Sequence, residues 1–76
     1  MQVDLDIDAR GLLCPLPVLR LRKRMMPLAP GQIARLWATD PAAHVDVPHF
    51  CAEAGHELIA TEEDGEATGF FVRKGS

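Results

Sequence analysis

No apolar run in this sequence approaches the ~20 residues of a membrane span. Met1 is followed by Gln2, Val3 and Asp4, with neither a basic leader nor an apolar one. No secretory signal is therefore expected, and a reducing cytoplasm is the expected compartment. Cysteine is sparse: Cys14 and Cys51 form no CxxC pair, and in such a compartment both are expected as free thiols. Positive charge is in short supply as well. Eight Lys and Arg stand against eleven Asp and Glu, giving a net charge of −3 and a pI of about 5.4. That balance excludes a protein built to coat nucleic acid, and one tryptophan without interleaved basic residues gives no stacking platform for RNA. Internal repeats and low-complexity segments are absent.

What remains is ordinary globular composition, with 47% hydrophobic and 25% charged residues. With 76 residues, one domain spanning 1–76 is expected. A chain of this size buries only roughly 60% of its unfolded surface, so it builds one core. Charge is segregated. Arg20, Arg22, Lys23 and Arg24 cluster in the first half, while Glu53, Glu57, Glu62, Glu63, Asp64 and Glu66 fall in the second.

Residues 3–8 alternate apolar and acidic side chains with period two, as in a strand with one wet face. Arg10 and Gly11 break the pattern, and Gly11 suits a turn. A helix is expected from 15 to about 27. Pro15 fits its first position, Pro17 lies in its first turn, and Val18, Leu21, Met25 and Leu28 form its core stripe. Pro27, Pro30 and Gly31 end it. A second strand is expected over 32–39, completing a βαβ unit. Pro48 would cost ~3 kcal/mol inside a helix, so the next helix is placed at 47–54 with Asp46 as its N-cap and Gly55 as its stop. Strands at 56–62 and 67–73 flank a hairpin signal at Asp64-Gly65. The fold class is α+β: a two-layer β-α-β-α-β-β sandwich, with two helices on one face of a four-stranded mixed sheet. Ile33, Trp37, Ile59 and Phe71 are expected on its uncovered face.

On this reading Cys14 is the N-cap of the first helix. Unpaired amides and the positive end of the helix dipole point at its sulfur, and both favour a thiolate. Pro15 also bars continued helix before it. The plainer use of Cys14 is as a small core residue between leucines. Placement at a proline-stiffened helix start tilts the choice towards reactivity. No pattern ties His44, His49 or His56 to it as a base, and no resolving cysteine lies close by. Sulfur relay asks least: one accessible thiolate, with no metal and no cofactor.

Asp8-Ala9-Arg10-Gly11-Leu12-Leu13-Cys14-Pro15-Leu16-Pro17 resembles the D-x-x-G-x-x-C-P-x-P signature of the TusA/SirA-like sulfur carriers. The likeness continues through Arg22-Lys23, Pro30-Gly31, Asp40-Pro41, the stretch from Asp46 to Cys51, His56-Glu57-Leu58 and Arg73-Lys74-Gly75. It implies that Cys14 carries a persulfide, and that Arg22 and Asp40 help dock partners. It also implies that Asp8, Gly11, Pro15, Pro17 and Asp46 support the motif, and that Cys51 is dispensable. In TusA-type members a cysteine desulfurase of the IscS kind loads the sulfur. A downstream acceptor protein then receives it, on the way to 2-thiouridine at the tRNA wobble position. Other relatives serve sulfur oxidation, molybdenum-cofactor sulfuration or selenium metabolism. Two positions depart from the TusA-type pattern: Leu16 stands where Glu is frequent, and Leu13 where a basic residue is common.

The remaining candidates have plainer uses. Cys51 is expected to be buried and inert. His49 and Cys51 diverge on a helix, so no metal site is expected among the histidines and Cys51. The basic face of the first helix is a solvated face or a surface for an acidic partner. Asp4, Asp6 and Asp8 form the wet side of the first strand, and Asp8 can also bond backbone in the following turn. Asp40 is a loop cap or a docking residue. A monomer that binds neither RNA nor membrane is expected. A non-catalytic regulatory module with a structural Cys14 is the alternative to a carrier.

Overall fold

A computed structural model describes all residues from Met1 to Ser76. In chain order the elements are β1 (Leu5–Ala9), α1 (Leu16–Met25), β2 (Ile33–Ala38), α2 (Ala43–Ala54), β3 (Glu57–Asp64) and β4 (Ala67–Arg73). The sheet runs β1-β2-β4-β3. β1 and β2 are parallel, as the crossover through α1 requires, and the other two pairings are antiparallel. This is the α+β arrangement expected from the sequence. The hairpin loop is Gly65-Glu66, since Asp64 still pairs with Ala67; Gly65 takes φ +61° there.

The pleat of each strand decides which side chains meet the helices. From β1 come Ile7 and Ala9, from β2 Ala34, Leu36 and Ala38, and from β4 Phe70 and Val72. They pack against Leu21 and Met25 of α1 and against Ala43, Val47, Phe50 and Cys51 of α2. Val18 and Leu28, expected in the core stripe, are half-buried at its edge. The opposite face carries Ile33, Trp37 and Phe71, as expected, and it is covered rather than bare. Arg35 clamps Asp6 with bonds of 2.6 and 2.7 Å. Its guanidinium lies 5.2 Å from the Trp37 ring and 5.6 Å from the Phe71 ring. Trp37 fits over Gly69, where any Cβ would crowd the indole.

Both helix starts differ from expectation. Pro15, not Cys14, occupies the N-cap of α1, with φ −98° and ψ 14°, and Pro17 is the second helical residue. Cys14 therefore stands one residue outside the helix, joined to Pro15 by a cis peptide bond. At the other end α1 stops at Met25, where Lys74 Nζ donates to the carbonyls of Met25 and Met26 at 2.9 and 3.0 Å. A cation from the chain terminus thus satisfies carbonyls left open at a helix end.

α2 begins four residues earlier than expected, and Pro48 lies inside it. Asp46 is not a cap but the fourth helical residue. The start is set by Asp40, whose Oδ1 accepts the Ala42 N–H at 3.0 Å and whose carbonyl accepts the Ala43 N–H at 3.0 Å. The first turn is wound tightly, with further i→i−3 bonds from His44 and Val45. Three gains offset the bond that Pro48 removes: burial of Ala43, a hydrogen bond between His44 Nε2 and Thr68 Oγ1 at 3.3 Å, and edge contact of His44 with Phe70 at 5.3 Å. Gly55 ends α2 in the left-handed conformation at φ +76°, as expected.

Candidate functional site

The loop between β1 and α1 carries Cys14, and its shape is fixed by bonds at each step. Asp8 Oδ1 accepts the Arg10 N–H at 3.0 Å, so the expected bond from Asp8 into this turn is present. The Gly11 N–H donates to Thr39 Oγ1 at 2.9 Å, and its φ of +80° suits glycine. The Leu16 N–H donates to the Leu13 carbonyl at 2.8 Å, closing a turn around the cysteine itself. Arg20 Nη1 reaches the Asp8 carbonyl at 2.7 Å and ties α1 to the end of β1.

Asp40 joins this loop to the start of α2. Its Oδ2 accepts the Cys14 N–H at 2.7 Å while its Oδ1 caps Ala42. These two amides, that of Ala42 first and that of Cys14 second, hold the Asp40 carboxyl below the ordinary carboxylate range. One ionised side chain therefore positions both the cysteine backbone and the first turn of α2.

The Cys14 side chain is exposed. It opens onto a cavity of about 170 Å³ shared with Pro15, Val18, Arg22, Asp46, His49, Phe50 and Glu53. The Arg22 guanidinium lies over the Phe50 ring, 4.9 Å from its centroid, and His49 Nε2 sits 3.5 Å from Glu53 Oε1. Residues 46, 49, 50 and 53 share one face of α2, a spacing visible in the sequence once the helix is known to start at Ala43. From the sequence His49 is weighed as a base and as a metal ligand and set aside, and Glu53 is counted only among the acids; neither is expected at this cavity. The site thus gathers Cys14, Pro15, Arg22 and Asp46 at one cavity, with Asp40 behind the cysteine amide. Asp8, Gly11 and Pro17 shape the supporting loop and helix start.

The electrostatics of the thiol run opposite to the sequence expectation. Hydrogen bonding to the Asp46 carboxylate, partial withdrawal from water, and the charges of Asp46 and Asp40 together push the Cys14 thiol above its ordinary range. Two acidic side chains face the thiol, and Cys14 stands one residue outside the helix whose end was expected to favour the thiolate. Cys51 is buried within α2, and desolvation alone raises its thiol to about 11. Such a group is a core residue, as expected. No three His, Cys, Asp or Glu side chains converge into a set that could hold a metal ion.

The family model described as Sulfurtransferase TusA matches residues 5–74. The chain belongs to the TusA family. A TusA-family sulfur carrier from Pseudomonas paraeruginosa is 42% identical over 72 residues, covering 95% of this chain and 91% of that protein. The corresponding carrier of Pseudomonas syringae is 38% identical over 76 residues, covering 100% and 90%. The crystal structure of a SirA-like protein from Desulfitobacterium hafniense superposes with a TM-score of 0.81 at 22% identity, covering 95% of this chain and 99% of that one. That neighbour confirms the fold. Membership of the TusA family makes this chain a sulfur carrier. No helix is long and apolar enough to cross a membrane.

Proposed function

We propose that Cys14 is the residue that carries the sulfur, that a cysteine desulfurase loads it, and that a downstream acceptor protein unloads it. The observation that carries this reading is an exposed Cys14, held by its own amide at the mouth of a cavity, in a sulfur-carrier chain whose other cysteine is buried. The transfer needs no cofactor. The Cys14 sulfur attacks the outer sulfur of the donor persulfide, a new S–S bond forms, and the bond to the donor's own sulfur breaks. The donor sulfur leaves as a thiolate and takes up the proton that Cys14 gave up. The acceptor's thiolate repeats the exchange on the Cys14 persulfide and releases Cys14. Each step moves one sulfur atom and leaves the overall oxidation state unchanged.

Arg22 and Asp40 are assigned to partner docking on either side of the thiol. Arg22 lines the cavity, and Asp40 fixes the loop the partner must approach. Because Asp46 pushes the free thiol above its ordinary range, a docking partner that draws Asp46 away would raise the share of thiolate available for transfer. The pathway we assign is 2-thiolation of the tRNA wobble uridine. The carrier works there as a cytoplasmic monomer that hands sulfur to a protein and does not itself bind RNA.

Labelled sulfur supplied as cysteine, together with a cysteine desulfurase, tests the reading. Label should appear on the wild-type protein and on Cys51→Ser but not on Cys14→Ser. Equal labelling of Cys14→Ser would overturn it. Unlabelled wild type with intact partner affinity in Cys14→Ser would favour a binding module instead.

A further inference from the structure

Lys74 and Gly75, which follow β4, are held from several sides. The Gly31 N–H donates to the Lys74 carbonyl and the Lys74 N–H to the Gln32 carbonyl, each at 2.8 Å. Lys74 Nζ holds carbonyls at the end of α1, and the Gly75 N–H donates to His56 Nδ1 at 3.0 Å. Gly75 passes so close to the C-cap of α2 that a Cβ there would run into the Gly55 carbonyl. One short segment therefore ties together the C-terminal ends of both helices. The bond to His56 also dictates a charge state. A backbone amide can only donate, so Nδ1 is unprotonated and the ring is neutral, with its proton on Nε2. An imidazolium carries N–H at both nitrogens and would set one of them against the Gly75 N–H. The charges that act on the ring are both cationic: Lys74 from the segment itself and Arg22 from α1. From α2 the Phe50 ring meets it at 5.5 Å. The carboxylates nearest in sequence are engaged elsewhere, Glu57 of β3 by Arg73 at 2.9 Å and Glu53 of α2 by His49 at 3.5 Å. Partial burial first, then the charges of Lys74 and Arg22, hold His56 below the ordinary imidazole range.

We propose that His56 is a pH-sensitive latch: neutral, it fastens Lys74 and Gly75 across the ends of the two helices, and protonated, it lets them go. Release frees the Gly75 N–H and takes Lys74 Nζ away from the carbonyls of α1, since adjacent residues carry both contacts. The sign follows from linkage. His56 is lowered in the native state from the 6.5 of a free imidazole. The closed latch therefore contributes its full stability above about 6.5, and that stability is lost as pH falls through the lowered native value. The latch also touches the carrier cavity. Phe50 packs on His56 and lies under Arg22, and both line the cavity of Cys14. An imidazolium at position 56 repels the Arg22 guanidinium, so the position of Arg22 and the state of the latch are linked in both directions. This device does not depend on which cysteine carries the sulfur.

The test is nuclear magnetic resonance on the full chain labelled with nitrogen-15, followed from about pH 8 to about pH 5. At the upper end His56 should show a bare Nδ1 and a protonated Nε2, and the Gly75 amide should be protected from hydrogen exchange. As pH falls, Gly75 should lose that protection, after correction for the intrinsic effect of pH on exchange. The midpoint of the loss should be the one at which His56 takes up its proton. His56→Phe keeps a ring against Phe50 but removes the acceptor, so Gly75 should be unprotected across the whole range. Gly75→Ala opens the latch from the other side and leaves His56 in place. By reciprocity it should raise the His56 midpoint, and it decides the question if His56→Phe does not fold. A proton on Nδ1 at the upper end, equal protection of Gly75 at both ends, or a His56 midpoint unmoved by Gly75→Ala would each overturn the latch.

Discussion

Replacing Asp46 with asparagine should make Cys14 more reactive, not less. Asp46 raises the thiol in two ways, by accepting its hydrogen bond and by its charge, whereas Asp40 acts by charge alone. Asparagine keeps the shape, removes the charge, and offers an amide N–H that favours thiolate over thiol. At neutral pH, each unit by which the thiol pKa falls multiplies the thiolate fraction about tenfold and lowers the nucleophilicity of each thiolate about threefold, for a net gain of about threefold. The assay is thiol–disulfide exchange with a small aromatic disulfide, followed from about pH 6 to about pH 10 in a Cys51→Ala background. The expected result is a faster rate at pH 7 than that of the Asp46 protein, with the profile displaced to lower pH. A profile that stays in place or moves to higher pH would refute the assignment of Asp46 as the main group that raises the thiol.

Two further outcomes follow from burial. In a Cys14→Ser background, native Cys51 ionises near 11 whereas an unfolded thiol ionises near 9. The protonated thiol therefore stabilises the native state below about 9, and that stabilisation is lost as pH rises towards about 11. Thermal unfolding should show Tm falling across this window, with a shallower fall once Cys51 is replaced by alanine; equal slopes would contradict the assignment. Gly69→Ala would place a Cβ 3.0 Å from two carbons of the Trp37 ring. Overpacking of this kind costs about 1–3 kcal/mol. A lower denaturant midpoint with altered Trp37 fluorescence is expected, and an unchanged midpoint would show that the indole has room to move.

The layout was legible because several local signals agreed. Leu5 and Ile7 alternate with Asp6 and Asp8, Leu21 and Met25 repeat at helical spacing, and Gly55 closes α2. Each misplaced helix start has a local physical cause. Proline's fixed φ suits an N-cap nearly as well as the first helical position, so Pro15 alone could not place Cys14 to within one residue. For α2 the penalty attached to Pro48 was given too much weight. Ala43, Val47, Phe50 and Cys51 already stand at i, i+4, i+7 and i+8, and Asp40-Pro41 is itself a helix-start signal.

What the sequence could not reveal is pairing across the fold. Asp40 lies 26 residues from the amide it holds. Asp46 acts on the Cys14 thiol only because α2 begins early enough to turn its side chain towards α1. The direction of the thiol shift was misjudged for the same reason: the helix end is visible locally, and the opposing carboxylates are not. Leu16 and Leu19 fall outside the core stripe of Val18, Leu21, Met25 and Leu28 read from the sequence, and the structure leaves both exposed.

The most direct measurement is peptide mapping of the wild-type protein by mass spectrometry, after incubation with a cysteine desulfurase and cysteine and under non-reducing conditions. The account predicts that the peptide containing Cys14 gains the mass of one sulfur atom, loses it on treatment with a reductant, and that the Cys51 peptide stays unmodified. Sulfur found on Cys51, or none on Cys14 in a protein that still accepts sulfur, would contradict it.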